Sequence, residues 1–328
     1  MGFLMAANCK RFANSPRRSI LLPVNARARI TVGAIFFVSA FAFIVPQAGR
    51  AVSSSPQQEK TKILTTILPL YCFAVGVAGD LARVDNLLPE NASGHDYQLS
   101  AQDARKLSNA DVVIATGLGL EDSLLGRRLK APSVKAAAGI EPILGHVHED
   151  HRHGGDVNPH FWLDPLLAAH AVTNILHALQ KADPPNADAF SRNAAAYVTR
   201  LHKLDQEISA ALVPYRGRTF VTYHDAFPYF ARRYDLRLAG VVQEVADVEP
   251  TPHHLSELRA IVRDKKVSVV FMEAASDRRR LKQLAADLGV KVATLDPLES
   301  GRLSPSAYEE GMRRNAESIR KAFDAPLP

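Results

Sequence analysis

Cysteine is nearly absent from this chain of 328 residues, which contains only Cys9 and Cys72. Cys9 lies in an N-terminal segment that we expect to be removed, so no internal disulfide is expected in the remaining chain. The fold must therefore depend on ordinary hydrophobic cores. Cys72 follows the apolar stretch "ILTTILPLY" and is expected to be a buried small hydrophobic residue.

Acidic residues are absent from residues 1–51, which carry seven basic ones. This segment contains the apolar run Ile30–Val45, followed by small residues at Gly49 and Ala51. The order is typical of a secretory signal peptide at 1–51, cleaved after Ala51. The alternative is an uncleaved membrane anchor, because sixteen apolar residues fall just short of the roughly 18–20 that span a bilayer. The Ser- and Gln-rich residues 52–60 are expected to form a disordered lead-in.

Two classes of ligand are disfavoured by what the rest of the chain lacks. The formal net charge of +6 comes from 40 basic and 34 acidic residues, and without the seven basic residues of the signal 33 basic residues remain against 34 acidic ones. No basic surplus is left for nucleic acid. No glycine-rich phosphate loop is present either, since "GLGLE" at Gly117–Glu121 is too short and wrongly spaced for a dinucleotide fingerprint.

The remaining chain is an alternation of strand-like apolar runs and helix-like stretches. It predicts an α/β fold with two β/α lobes and mainly parallel sheets, one lobe at 61–185 and the other at 214–328. Residues 186–213 contain no Gly or Pro and predict one long rigid helix that joins the lobes. The first strand is predicted across Lys62–Leu70, and the last helix from about Ser304 to Phe323.

Histidine is concentrated in one loop, residues 143–157, and just beyond it. Four of the chain's twelve histidines lie within this loop, at His146, His148, His151 and His153, and His160 follows shortly after it. The loop is rich in Gly and Asp, which makes it a poor rigid site. His160 differs from the others because Pro159 and the bulky Phe161 and Trp162 should hold its backbone stiffly.

Four separated residues form the candidate metal site. In open α/β sheets ligands bind beyond the carboxyl ends of strands, where His224, Glu273 and Asp296 end predicted strands. His95 lies in a loop just before a helix. His95, His160, His224 and Asp296 would supply three nitrogens and one oxygen, a set suited to tetrahedral Zn²⁺. Two come from each half of the chain, which predicts a metal in the cleft between the lobes.

Five stretches carry a resemblance that covers nearly the whole chain after residue 60. In order they are "SGHDYQLSAQDARKLSNADVVIATGLGLE", "NPHFWLDP", "TYHDAFPYFARRY", "DVEPTP" and "VATLDPL". Together they resemble the metal-binding solute-binding proteins of ABC importers, the zinc/manganese cluster. The resemblance implies two lobes, a rigid connecting helix, metal ligands at the four positions above, and no catalysis. It also implies a periplasmic monomer that captures Zn²⁺ and works with an inner-membrane ABC permease.

Two details of this resemblance concern the metal. Members that resemble manganese binders carry a carboxylate where this chain has His224, so the histidine and the His-rich loop indicate zinc. The family often has a proline after the glutamate of "FMEAASD", where this chain has Ala274, and the role of Glu273 is therefore open. The loop histidines could bind zinc weakly and pass it to the cleft, or belong to a solvated loop with adventitious affinity.

The sequence is also compatible with three alternative functions. A secreted zinc hydrolase would use three histidines and an exchangeable fourth position to activate water. A manganese-binding or an adhesin-type member of the same cluster would share the fold. A hydrolase is disfavoured because Asp296 would fill the fourth coordination position, where the reacting water would have to bind. An adhesin is disfavoured because the sequence supplies no anchor motif.

Overall fold

The computed structural model describes residues 59–90, 92, 97–121, 125, 131–145, 157–243, 250–273 and 278–326. The predicted signal peptide at 1–51, most of the lead-in at 52–60, His95 and the four loop histidines lie outside the described residues. Within the described residues, no helix combines the length and the apolar character needed to cross a bilayer.

Two four-stranded parallel sheets confirm the predicted α/β class. The N-terminal sheet has the order β2-β1-β3-β4 and the C-terminal sheet the order β6-β5-β7-β8. The strands are β1 (Thr61–Thr65), β2 (Ala82–Asn86), β3 (Val112–Ala115), β4 (Ser133–Lys135), β5 (Thr219–Thr222), β6 (Arg237–Val241), β7 (Val269–Met272) and β8 (Lys291–Thr294).

Helices separate these strands and follow the last of them. They are α1 (Leu68–Ala78), α2 (Ala101–Asn109), α3 (Pro165–Ala182), α4 (Ala187–Leu212), α5 (Pro228–Arg233), α6 (Pro252–Asp264), α7 (Arg278–Leu288) and α8 (Ala307–Asp324). A short 3₁₀ turn, Phe161–Leu163, stands before α3.

The first predicted strand was too long. The apolar run Lys62–Leu70 divides into β1, which ends at Thr65, and the first turn of α1, which begins at Leu68. Pro69 is favoured in a first helical turn, where no backbone donor is needed. Because residues 63–70 are all buried, the run shows no periodicity that could separate strand from helix.

The long helix α4 follows the N-terminal sheet in the chain and precedes the C-terminal one. Its 26 residues correspond to about 39 Å at 1.5 Å per residue. It packs against α1, α3 and α8, so it contacts helices from both ends of the chain. One continuous core joins the two sheets and includes Ile63 of β1, Phe73 of α1, Phe220 of β5 and Tyr308 of α8.

Cys72 is fully buried in this core, as expected. Its Sγ donates to the carbonyl oxygen of Ser304 at 3.3 Å. Burial raises the pKa of the Cys72 thiol to about 12, so the residue is an uncharged packing group.

Candidate metal centre

His160 is held at the start of the 3₁₀ turn Phe161–Leu163 and is 1% exposed. Its ring lies 5.1 Å from the Trp162 ring, centroid to centroid. Both ring nitrogens have neighbours: Nδ1 lies 3.0 Å from Asn158 Oδ1, and Nε2 lies 2.9 Å from Glu299 Oε1. The stiff flanks predicted for His160 thus produce a buried imidazole with a defined orientation.

His224 lies just beyond the carboxyl end of β5, as predicted. The neighbouring strand β7 ends at Met272, so the next residue, Glu273, stands at the same edge of the sheet. His224 Nδ1 lies 2.7 Å from Glu273 Oε1, and both side chains are partly exposed. Burial lowers the pKa of His224, but the hydrogen bond to Glu273 and the charges of Glu273 and Glu299 outweigh it and raise the pKa above its usual value.

Glu299 is a candidate site residue that the sequence did not predict. It is 5% exposed and follows β8 in the segment "DPLES". This segment is attached to the N-terminal half twice: Leu68 N donates to the Glu299 carbonyl oxygen at 3.0 Å, and Trp162 Nε1 donates to the Pro297 carbonyl oxygen at 2.7 Å. These two bonds bring the Glu299 carboxylate beside His160.

Three ligand atoms, one each from His160, His224 and Glu299, lie within 4.8 Å of one another. Among the described residues, no other group of three His, Cys, Asp or Glu side chains converges in this way. The two histidine rings are 4.9 Å apart between centroids. Two imidazoles and a carboxylate can hold a divalent cation and leave a fourth tetrahedral position for another ligand.

Asp296 stands near this group but outside it. Its Oδ1 accepts from Leu298 N at 2.8 Å, and its backbone N–H donates to Asn315 Oδ1 at 2.9 Å. Burial raises the pKa of the Asp296 carboxyl, and the charges of Glu273 and Glu299 act in the same direction. The structure therefore brings together His160 and His224 of the predicted set, places Asp296 beside them, and does not describe His95.

A signal for Glu299 was present in the sequence, although it was weak. Glu299 comes three residues after Asp296, in the same loop beyond a predicted strand, so both carboxylates were candidates for the carboxyl edge of the sheet. Which of the two faces His160 depends on the path of the loop, and that path is set by contacts with the N-terminal half.

Comparison with known proteins gives consistent matches over most of the chain. A family model described as "ZnuA: Zinc-uptake complex component A periplasmic" matches residues 63–322. The zinc-binding protein AdcA of Streptococcus pyogenes is 30% identical over 313 residues, covering 87% of this chain. The chain spans 59% of the length of that relative.

Solved structures agree with these matches. The solute-binding protein FpvC from Pseudomonas aeruginosa, in complex with Mn²⁺, has a TM-score of 0.74 and 28% identity, over 80% of this chain and 98% of FpvC. The crystal structure of ZnuA has a TM-score of 0.70 and 30% identity, over 80% of this chain and 99% of ZnuA. The relatives thus share one fold and include proteins described with different metals.

Proposed function

The chain belongs to the family of periplasmic zinc-uptake components, and from this premise we propose that it captures Zn²⁺ and delivers it to the permease of an ABC importer. The observation that supports the proposal is the convergence of His160, His224 and Glu299 at the carboxyl edge of the C-terminal sheet. A cargo site needs ligands that close around the ion without reacting with it. We therefore propose a binding protein and no enzyme, and the comparisons give the hydrolase alternative no support.

The proposed zinc sphere consists of three histidines and a carboxylate. His160 would bind through Nε2, which faces the carboxylate of Glu299, the other candidate ligand, while its Nδ1 faces Asn158. His224 would also bind through Nε2, because its Nδ1 is engaged by Glu273. His95 remains the proposed third imidazole, on the resemblance alone. Asp296 remains the carboxylate that the sequence favours, and Glu299 is the one that the geometry supports. The carboxylates of Glu299 and Glu273, which lie beside these two imidazoles, favour the binding of a divalent cation.

The proposed location is the periplasm, reached through cleavage of the signal peptide at 1–51. We further propose that the protein works as a monomer whose partner is the importer's inner-membrane permease. The lobes at 61–185 and 214–328, joined by the helix at 186–213, are the proposed domain division.

Zinc should be retained in preference to manganese. Imidazole suits zinc, whereas manganese prefers spheres rich in oxygen. In competition dialysis with equal concentrations of both ions, we expect about one tightly held zinc per chain and no comparable manganese. The substitution His224→Asp exchanges a nitrogen ligand for an oxygen ligand, so it should reduce the preference for zinc over manganese. Equal or better manganese retention by the parent protein would contradict the zinc assignment.

Removal of the His-rich loop should leave the tight site intact. The antiparallel bridge between Leu144 and Val157 closes the base of the loop. Replacing residues 145–156 by a two-residue Asn-Gly turn preserves that pairing, because such turns join paired antiparallel strands. Calorimetry should show unchanged affinity at one site with a lower total zinc stoichiometry or a slower loading rate. Loss of the tight site in this variant would mean that the loop supplies a necessary ligand.

A further inference from the structure

The side-chain amide of Asn158 is buried and lies between the segment that carries His160 and the segment that carries His224. Its Oδ1 accepts from the backbone N–H of His160 at 3.1 Å, and its Nδ2 donates to the carbonyl oxygen of Asp225 at 2.6 Å. A backbone N–H only donates and a carbonyl oxygen only accepts. These two contacts therefore determine which end of the amide is oxygen, independently of the His160 ring.

The orientation of this amide favours one tautomer of the His160 ring. Nδ1 of the ring lies 3.0 Å from Asn158 Oδ1, which is an acceptor. In a neutral ring this contact favours the hydrogen on Nδ1, whereas the Glu299 carboxylate, also an acceptor at 2.9 Å, competes for it at Nε2, the atom that would face a bound cation. Without this contact a neutral imidazole could place its hydrogen on Nε2 and lose its metal-binding lone pair.

The backbone of Asn158 is held as firmly as its side chain. Tyr229 of α5 donates from its hydroxyl to the Asn158 carbonyl oxygen at 3.0 Å and accepts from Ile143 N at 3.0 Å. Asn158 N donates to the Ile143 carbonyl oxygen at 2.8 Å. Asp225 follows His224 directly, so the Nδ2 bond links the His224 turn to the residue two before His160.

We propose that Asn158 is a positioning residue for metal binding, selecting the Nδ1–H form of His160 and holding the His160 and His224 segments together. The proposal rests on the proposed function, in which these two histidines bind the cargo ion. It assigns to Asn158 an effect on the ring that a buried asparagine with a purely structural role would not have.

Two substitutions separate the two parts of this role. Asn158→Leu removes both hydrogen-bonding atoms at similar volume, whereas Asn158→Asp keeps an acceptor for Nδ1–H and loses the donor to Asp225. The matched control is Asn86→Leu, since Asn86 is also buried and its side-chain amide accepts from Thr65 and donates to the Leu88 carbonyl oxygen, away from the histidines. Thermal unfolding of each metal-free variant reports its fold.

The test combines the ¹⁵N signature of the His160 ring in metal-free protein at alkaline pH with zinc affinity. In Asn158→Leu we expect a shift from Nδ1–H toward Nε2–H and about a 10- to 100-fold loss of affinity, the usual effect of removing such a partner. Asn158→Asp should keep the Nδ1–H signature and recover part of the affinity, and Asn86→Leu should change neither. An unchanged tautomer in Asn158→Leu overturns the proposal.

The ring signature needs no metal, so a parent protein that binds no zinc would refute the proposed function while the tautomer still decides this inference. If Asn158→Leu does not fold, the Asp variant decides: loss of the Nδ1–H signature or affinity no better than that of a His160→Ala protein would contradict the assignment.

Discussion

Glu299→Gln should weaken zinc binding by about 100-fold or more, and by no less than about 60-fold. Four-ligand zinc sites contribute roughly 10–16 kcal/mol, or about 2.5–4 kcal/mol for each ligand, which corresponds to about 60- to 700-fold in affinity. Glutamine keeps the size of the side chain and removes its negative charge. Because Glu299 Oε1 lies 2.9 Å from His160 Nε2, this charge is adjacent to the proposed metal position.

Asp296→Asn is the matched control for this substitution. This substitution also removes one negative charge, three residues from Glu299 in the same loop. The side-chain oxygen that remains can still accept from Leu298 N. If Glu299 is the ligand, this variant should lose less than about 10-fold, as expected for a nearby charge. Affinities are measured by competition with a chromophoric chelator, and unfolding of the metal-free proteins checks the fold. A larger loss in Asp296→Asn than in Glu299→Gln would assign the carboxylate to Asp296.

Zinc affinity should fall steeply with acid, beginning above the ordinary histidine pKa of about 6.5. Histidine binds metal only as neutral imidazole, so protons compete with zinc. Burial alone would lower the pKa of His224, but Glu273 and Glu299 raise it on balance. A raised pKa means that the protonated, non-binding form appears earlier as the pH falls. Up to three protons should be taken up per zinc released if His95, His160 and His224 all bind.

Glu273→Gln tests the cause of this pH dependence. The variant removes the charge beside His224 Nδ1, so the pKa of His224 should drop and the loss of affinity should begin at lower pH. At alkaline pH the same variant should bind zinc about 10- to 100-fold more weakly, because the ring loses its charged partner. His151→Ala should leave the profile unchanged. If His151→Ala and His224→Ala behave alike, the assignment of the tight site to His224 over the histidines of the loop is wrong.

The parts of the site that the sequence predicts are those determined by neighbours in the chain. His160 is identified by its proline and aromatic flanks, and His224 by the strand that it follows. Glu299 could not be chosen over Asp296, because its position depends on bonds from Leu68 and Trp162, more than 130 residues away in the chain. Local pattern carries no information about such contacts.

The fold shows the same division between local and distant causes. Helix α4 is predictable because its buried residues recur every three or four positions, from Phe190 to Leu212. The strand predicted across Lys62–Leu70 fails because burial on all sides removes any periodicity. The shared core of the two sheets likewise depends on contacts that no local pattern indicates.

The attachment of the Glu299 segment to the N-terminal half has a mechanical consequence. By chain order Glu299 belongs with the C-terminal sheet. The hydrogen bond from Leu68 to Glu299 and the one from Trp162 to Pro297 nevertheless join its segment to the N-terminal half. Any hinge motion that separated the sheets while keeping these bonds would have to break the Asn158 bond to the Asp225 carbonyl oxygen, and it would divide the proposed ligands unevenly. His160 and Glu299 would travel together, His224 would leave with Glu273, and the ion would lose a single nitrogen first.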